Sequence, residues 1–215
     1  MTYNHLAVSE NAFIQQLAVA YVNHGYWFYV TGIVPQNKNS VLVDTKLIQK
    51  YEIAISKWAR ARRKRRGLAN VHYLRHRMFF VLIATKGQHH FFDQEGPVLK
   101  DIRSEPVKYA GYSISYKQGV DRFWHPSVRI NPNQYNMLKS HFLDVCLHRS
   151  AVQIGREFNR LPFEPYAPVR RQLLNIHRAV NRHRLKAGLA PVPIEYLRLR
   201  RHVLKPFCEE RAISI

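Results

Sequence analysis

The stretch Lys46-Leu47-Ile48-Gln49-Lys50-Tyr51-Glu52-Ile53-Ala54-Ile55-Ser56-Lys57-Trp58-Ala59-Arg60, running on through a basic tract to Gly67, decides how the first half of the chain folds. Leu47, Ile48 and Tyr51 share one helical face, and Asp44 stands before them as the expected cap. Two readings compete beyond Tyr51. One helix could continue to Arg66, since Leu47, Tyr51, Ile55 and Trp58 keep near-helical spacing. The β-branched Ile53 and Ile55 oppose this, and Ser56 is a good cap for a new helix, so a break at 52–55 is expected. Gly67 stops the helix either way. Seven of the ten residues 57–66 are basic: Lys57, Arg60, Arg62, Arg63, Lys64, Arg65 and Arg66. A helix charged in this way is armed to meet a nucleic-acid groove or backbone.

Segment 46–66 resembles the helix-turn-helix of resolvase, transposase and repressor DNA-binding domains; the resemblance covers only that segment. The family's first helix carries an apolar pair of the Leu-x-x-x-Tyr kind, matched by Leu47 and Tyr51. A hydrophobic residue follows in the turn, matched by Ile53. A Ser or Thr caps the recognition helix, matched by Ser56, and an apolar residue docks it, matched by Trp58. Where the family's turn usually has Gly, this chain has Glu52. The resemblance implies that Lys57, Arg60 and Arg63 face bases or phosphates, while Arg62, Lys64, Arg65 and Arg66 grip phosphates. An Arg on a guanine edge is worth about 1–3 kcal/mol of discrimination. A plain basic helix on a DNA or RNA backbone and a merely solvated face are the alternatives.

Outward from this segment, 9–23 reads as a helix capped by Ser9 and ended by Gly25, with Phe13, Leu17, Ala20 and Tyr21 as its stripe. Residues 26–34 read as a strand. A long strand pattern covers 71–84; 85–88 is a plausible tight turn, and 89–93 the returning arm of a hairpin. That hairpin would form a wing, with Arg75, Arg77 and Lys86 along the DNA. Residues 108–117 and 123–130 read as two more strands, joined through Gln118, Gly119, Val120 and Asp121. Asn131-Pro132 starts a helix to about His148 with the stripe Tyr135, Leu138, Phe142 and Val145. Another helix follows from Ser150 to about Arg160. After a proline-rich linker, 169–186 form a helix with apolar positions Val169, Leu173, Ile176 and Val180, ended by Gly188 and Pro191. The expected class is α+β: a central, mostly antiparallel sheet preceded by the basic helical segment and followed by a helical third. The expected division is 1–130, a nucleic-acid-binding α+β part, and 131–215, a basic helical lobe.

The 215 residues carry 34 Lys and Arg against 14 Asp and Glu, a net +20, and 46% are apolar. That is enough for a core, so the excess charge sits on a folded surface, and such surfaces usually meet a polyanion. A charged surface kept for solubility alone is the bland reading. Cys146 and Cys208 fit no disulfide framework or zinc spacing, which points to a reducing compartment. No apolar run is long enough for a membrane span, and 1–5 lack the start of a secretory signal. A cytoplasmic protein is expected, nucleoid-associated if bacterial, with nucleic acid as partner, DNA before RNA, and no membrane. A homodimer follows if the target is palindromic.

Further candidates carry chemistry. His72, His76, His89 and His90 invite comparison with rolling-circle (HUH) nucleases, whose His-apolar-His pair puts both rings on one strand face. His89 and His90 are adjacent and would point to opposite faces of a strand, so phosphate contacts or ring edges are the plainer reading. Tyr135 sits roughly where such a nuclease keeps its tyrosine nucleophile, although core packing as the first position of the stripe Tyr135, Leu138 and Phe142 is the plainer reading. Tyr112 and Tyr116 share a strand face and could stack on unpaired bases. Asp93, Glu95 and Asp101, with Glu105, are metal-nuclease candidates set against plain loop solvation, and Mg or Mn would be needed only for a nuclease; no other cofactor or metal is implied. Arg170, Arg171, Arg178 and Arg182 make a second basic surface that continues to residue 205. Replication, recombination or transcription control is the functional expectation, with a mobile element as one setting; a nuclease, a recombinase or an RNA-binding protein is the alternative.

Overall fold

The structure, a computed structural model, describes residues 2–119, 121–207 and 213–214; Met1, Val120 and Cys208 of the sequence reading lie outside the described residues. The elements follow in chain order: β1 (Thr2–Tyr3), α1 (Glu10–Gln15), β2 (Tyr26–Ile33), α2 (Ser40–Lys50), α3 (Lys57–Arg65), β3 (Val71–His76), β4 (Phe79–Thr85), α4 (His90–Glu95), β5 (Lys100–Asp101), β6 (Val107–Tyr109), β7 (Tyr112–Gln118), β8 (Trp124–Ile130), α5 (Pro132–Val145), α6 (Ala151–Asn159), α7 (Ala167–Lys186) and β9 (Ile213–Ser214). The class is α+β. Two compact units are present: one of Met1–Val107, Ile114–Pro126 and Leu204–Ile215, the other of Lys108–Ser113 and Ser127–Val203.

The first unit is built on an antiparallel sheet in the order β3-β4-β2-β5. Tyr29 faces Ile83 across one ladder and Tyr73 faces Leu82 across the next. Ile48 of α2, Tyr51 and Ile53 of the following turn, and Phe91 of α4 bury against Val71, Tyr73, Leu82 and Ala84. Phe13 of α1 meets Phe79 edge-on at 5.7 Å. The outer edge of β3 is covered by the N-terminal segment, where Arg75 N donates to His5 O and Ala7 N to Arg75 O, both at 2.8 Å; an open edge would invite pairing with other chains.

In the second unit, α5, α6 and α7 share a core. Asn131 caps α5 ahead of Pro132, and Ser150 with Gln153 forms a capping box on α6. The Phe142 and Phe158 rings stack at 3.9 Å, and the α7 stripe Val169, Leu173, Ile176 and Val180 is buried as the spacing predicts. Arg184, 3% exposed, gives Nη1 to Cys146 O at 2.6 Å and Arg149 O at 2.8 Å, so a cation closes the carbonyl end of α5.

Several expectations are corrected. Asn39, not Asp44, caps α2, which starts at Ser40; Asp44 is 1% exposed inside the helix. Its carboxylate accepts from Arg75 Nε (2.7 Å) and Nη2 (2.6 Å), Tyr73 Oη (2.6 Å) and His5 Nε2 (2.9 Å). The run 71–84 is two strands around a turn at Arg77 and Met78, with Arg77 at φ 54. Residues 89–93 are not a strand: His89 caps α4 with its own Nδ1 accepting from Phe91 N at 3.0 Å. The small-aromatic alternation of 108–117 conceals a second turn, where Ala110 (φ 47) and Gly111 (φ 77) are both left-handed, as a type I′ hairpin demands. The helix from Ser9 is regular only to Gln15; Gln16–Tyr21 is a π-turn and Val22–His24 a 3-10 turn.

Candidate nucleic-acid interface

The break predicted after Tyr51 is present. Ile53 N returns to Ile48 O at 2.9 Å, Glu52 takes φ 49 where a glycine would be easier, and Ser56 Oγ accepts from Ala59 N at 3.1 Å to start α3. Two of the α3 arginines turn back to the body. Arg60 Nη2 donates to Ile53 O at 2.8 Å, and its Nε is buried with no hydrogen-bond partner among the described residues. Arg63 is ion-paired with Glu52, and that guanidinium, more than anything else, holds the Glu52 carboxyl below its usual range. Among the described residues Arg63 is the only one of the seven cations in an ion pair.

The opposite side of α3 is open. Lys57, Arg62, Lys64, Arg65 and Arg66 are exposed. Trp58 is 75% exposed, so it does not dock the helix as the sequence reading had it. Trp58, Arg62 and Arg65 stand at i, i+4 and i+7 and form one face. No residue of α3 is buried; the arginine tethers, rather than an apolar stripe, hold the helix in place.

The expected wing is not assembled. Arg75 is 6% exposed and spent on Asp44, while Arg77 and Lys86 are exposed in separate turns.

In the second unit Arg170, Arg171, Arg178 and Arg182 are all exposed along α7. Ala167, Arg170, Arg171, Leu174, Asn175 and Arg178 line one open groove. Tyr135, Lys139, Asn175, Arg178, Ala179 and Arg182 line another of about 400 Å³. Tyr135 is half-buried at the groove wall, beside cations and with no acid or histidine in the lining. Lys139 and Asn175 were not singled out from sequence, although each falls one helical turn from a residue that was.

The remaining candidates separate. His89 and His90 stack at 4.3 Å, so the strand-face argument does not apply to them; His90 Nε2 lies 2.8 Å from Lys50 O. His72 is packed among Tyr21, Tyr26 and Tyr3, and His76 is buried. Glu95 accepts from Tyr51 Oη and pairs with Lys50; Asp101 is forked by Arg103; Glu105 pairs with Lys100; Asp93 is exposed on α4. Among the described residues no three His, Cys, Asp or Glu converge on a metal position. Tyr112 is buried, its hydroxyl accepting from Glu164 N at 2.7 Å, which removes it as a base platform. No helix among the described residues is long and apolar enough to cross a membrane.

Compared with known proteins, the chain matches no family model, no curated protein and no solved structure.

Proposed function

We propose that this chain is a nucleic-acid-binding protein, directed to DNA before RNA, that lays the Trp58–Arg62–Arg65 face of α3 on its target and holds backbone phosphates along α7. The observation that carries this reading is the outer face of α3: five cations with no acidic partner among the described residues, set around a tryptophan that is 75% exposed. A face kept for solubility has no use for an exposed indole, whereas nucleic-acid sites combine cations with aromatic rings. The break between α2 and α3 agrees with the helix-turn-helix resemblance, and α3 would be its recognition helix. Such a protein would serve replication, recombination or transcription control, in the cytoplasm and at the nucleic acid itself; as a homodimer it would read a palindrome.

The test is an anisotropy titration against duplex DNA, single-stranded DNA and structured RNA at two salt concentrations. Binding that weakens steeply with salt, and is reduced by Arg62→Gln with Arg65→Gln, is the expected result. Affinity for none of the three rules the reading out.

One observation favours an enzymatic reading in second place: Tyr135 shares its groove with Lys139, Arg178 and Arg182, which would hold a phosphodiester next to its hydroxyl. Incubation with Mg or Mn and DNA would then give cut strands or a covalent adduct lost in Tyr135→Phe; intact DNA and no adduct would leave a binding protein.

A further inference from the structure

Within the first unit three aromatic rings from three strands stand in series. Trp27 of β2 stacks on Tyr116 of β7 with centroids 5.4 Å apart and planes 29° apart. Tyr116 stacks on Trp124 of β8 at 5.7 Å and 25°. These are offset-stacked geometries. The Trp27 end is fixed. The Arg103 guanidinium lies 4.6 Å from the Trp27 ring centroid, and Asp101 holds that guanidinium through Nε at 2.9 and 3.0 Å and Nη2 at 2.5 Å. The Trp124 end is open: Trp124 is 49% exposed and its neighbour Phe123 70%.

A core tryptophan would be closed over and its indole N–H satisfied. Here Trp27 Nε1 is buried with no hydrogen-bond partner among the described residues, while the series still ends in solvent. The surroundings are cationic. Lys117 and Arg122 are exposed and close in sequence to Tyr116 and Trp124; Lys117 Nζ donates to Arg103 O at 3.2 Å, which leaves the ammonium two further protons to donate. The local acid, Asp121, is taken up by His125 Nε2 at 2.7 Å and Phe123 N at 3.1 Å. A pre-stacked ring series with one open end and basic neighbours matches an unpaired base with its phosphates. A duplex keeps its base faces covered by stacking and offers nothing for such a platform.

We infer that Trp27, Tyr116 and Trp124 form a stacking platform for unpaired bases of a single-stranded nucleic acid, with Trp124 touching the base and Lys117 and Arg122 its flanking phosphates. This rests on the reading of the chain as a nucleic-acid-binding protein and gives it a second preference, distinct from that of α3.

The test measures anisotropy of labelled oligo-dT and of a labelled duplex with the full chain, as wild type, Trp124→Ala and Trp124→Phe. The platform predicts that Trp124→Ala weakens oligo-dT binding about ten-fold or more, that Trp124→Phe restores most of it, and that duplex binding is unchanged. Equal loss on both ligands, or loss on neither, overturns the platform while wild-type duplex binding leaves the broader reading standing. Wild-type protein that binds neither ligand ends both.

Discussion

The Asp44 carboxylate accepts from three side chains at once, and removing its charge would leave Arg75 in the interior without a counter-ion. Breaking one side of a buried pair costs about 3–5 kcal/mol, so Asp44→Asn should lower the unfolding free energy from a urea titration by that much; a loss under about 1 kcal/mol would mean Arg75 finds water. Burial alone would raise the Asp44 pKa, but the hydrogen bonds from His5, Arg75 and Tyr73 outweigh it and hold the carboxyl below its ordinary range. Its stabilisation is therefore complete above about pH 4 and fades as the pH falls further. His72 acts in a higher window. Burial, and after it the Arg60 charge, push its pKa down to about 3. Below about pH 6.5 the unfolded chain takes a proton that the folded ring refuses, so stability falls by up to ~1.4 kcal/mol per pH unit on acidification. His72→Gln should flatten the decline in melting temperature between neutral pH and pH 5. The flattening is partial, because burial lowers His76 and His89 as well. An unchanged decline would show that His72 is protonated in the folded protein.

At the scale of elements, α3 divides its arginines between two tasks. Arg62→Gln with Arg65→Gln should leave the melting temperature alone and reduce the salt slope of DNA binding by about two. Arg60→Gln should lower the melting temperature, since its partner is Ile53 O; the reverse pattern would mean that the inner and outer faces are misassigned. In α6, Gly155 packs under Tyr196, and an added Cβ would come within 2.3 Å of that ring. Gly to Ala inside a helix normally gains about 1 kcal/mol, but overpacking costs about 1–3, so Gly155→Ala should destabilise the fold in a thermal melt; a gain would mean that Tyr196 moves aside freely. Elements with ordinary punctuation were legible in the sequence: Ser56, Asn131-Pro132, Ser150 and the stripe of α7. The turns at Arg77-Met78 and Ala110-Gly111 were hidden because strand-like residues run straight through them, and α4 because the aromatic run at its start looks extended. The outward turn of Trp58 and the joining of Trp27 to Trp124 are tertiary facts with no local pattern. Trp58 alone gives a signal, as a tryptophan inside the basic run 57–66; Trp27 and Trp124 stand in no such run.

The whole molecule carries +20 on a fold whose units are not consecutive stretches of chain. The first unit is written in three pieces and the second in two. Gln15 and Leu204 exchange hydrogen bonds of 2.7 and 3.1 Å across nearly the full length of the sequence. Deletion mapping, the ordinary genetic route for assigning two activities to two parts of a protein, is therefore closed here. A stop codon after Ile130 would remove Leu204 from the unit that bears α3, and a start at Asn131 would remove Lys108–Ser113 from the unit that bears α7. A truncated product that fails to bind would report misfolding rather than a lost contact. The separate contributions proposed for α3, the ring series and α7 are resolved by exchanging single side chains in the intact reading frame.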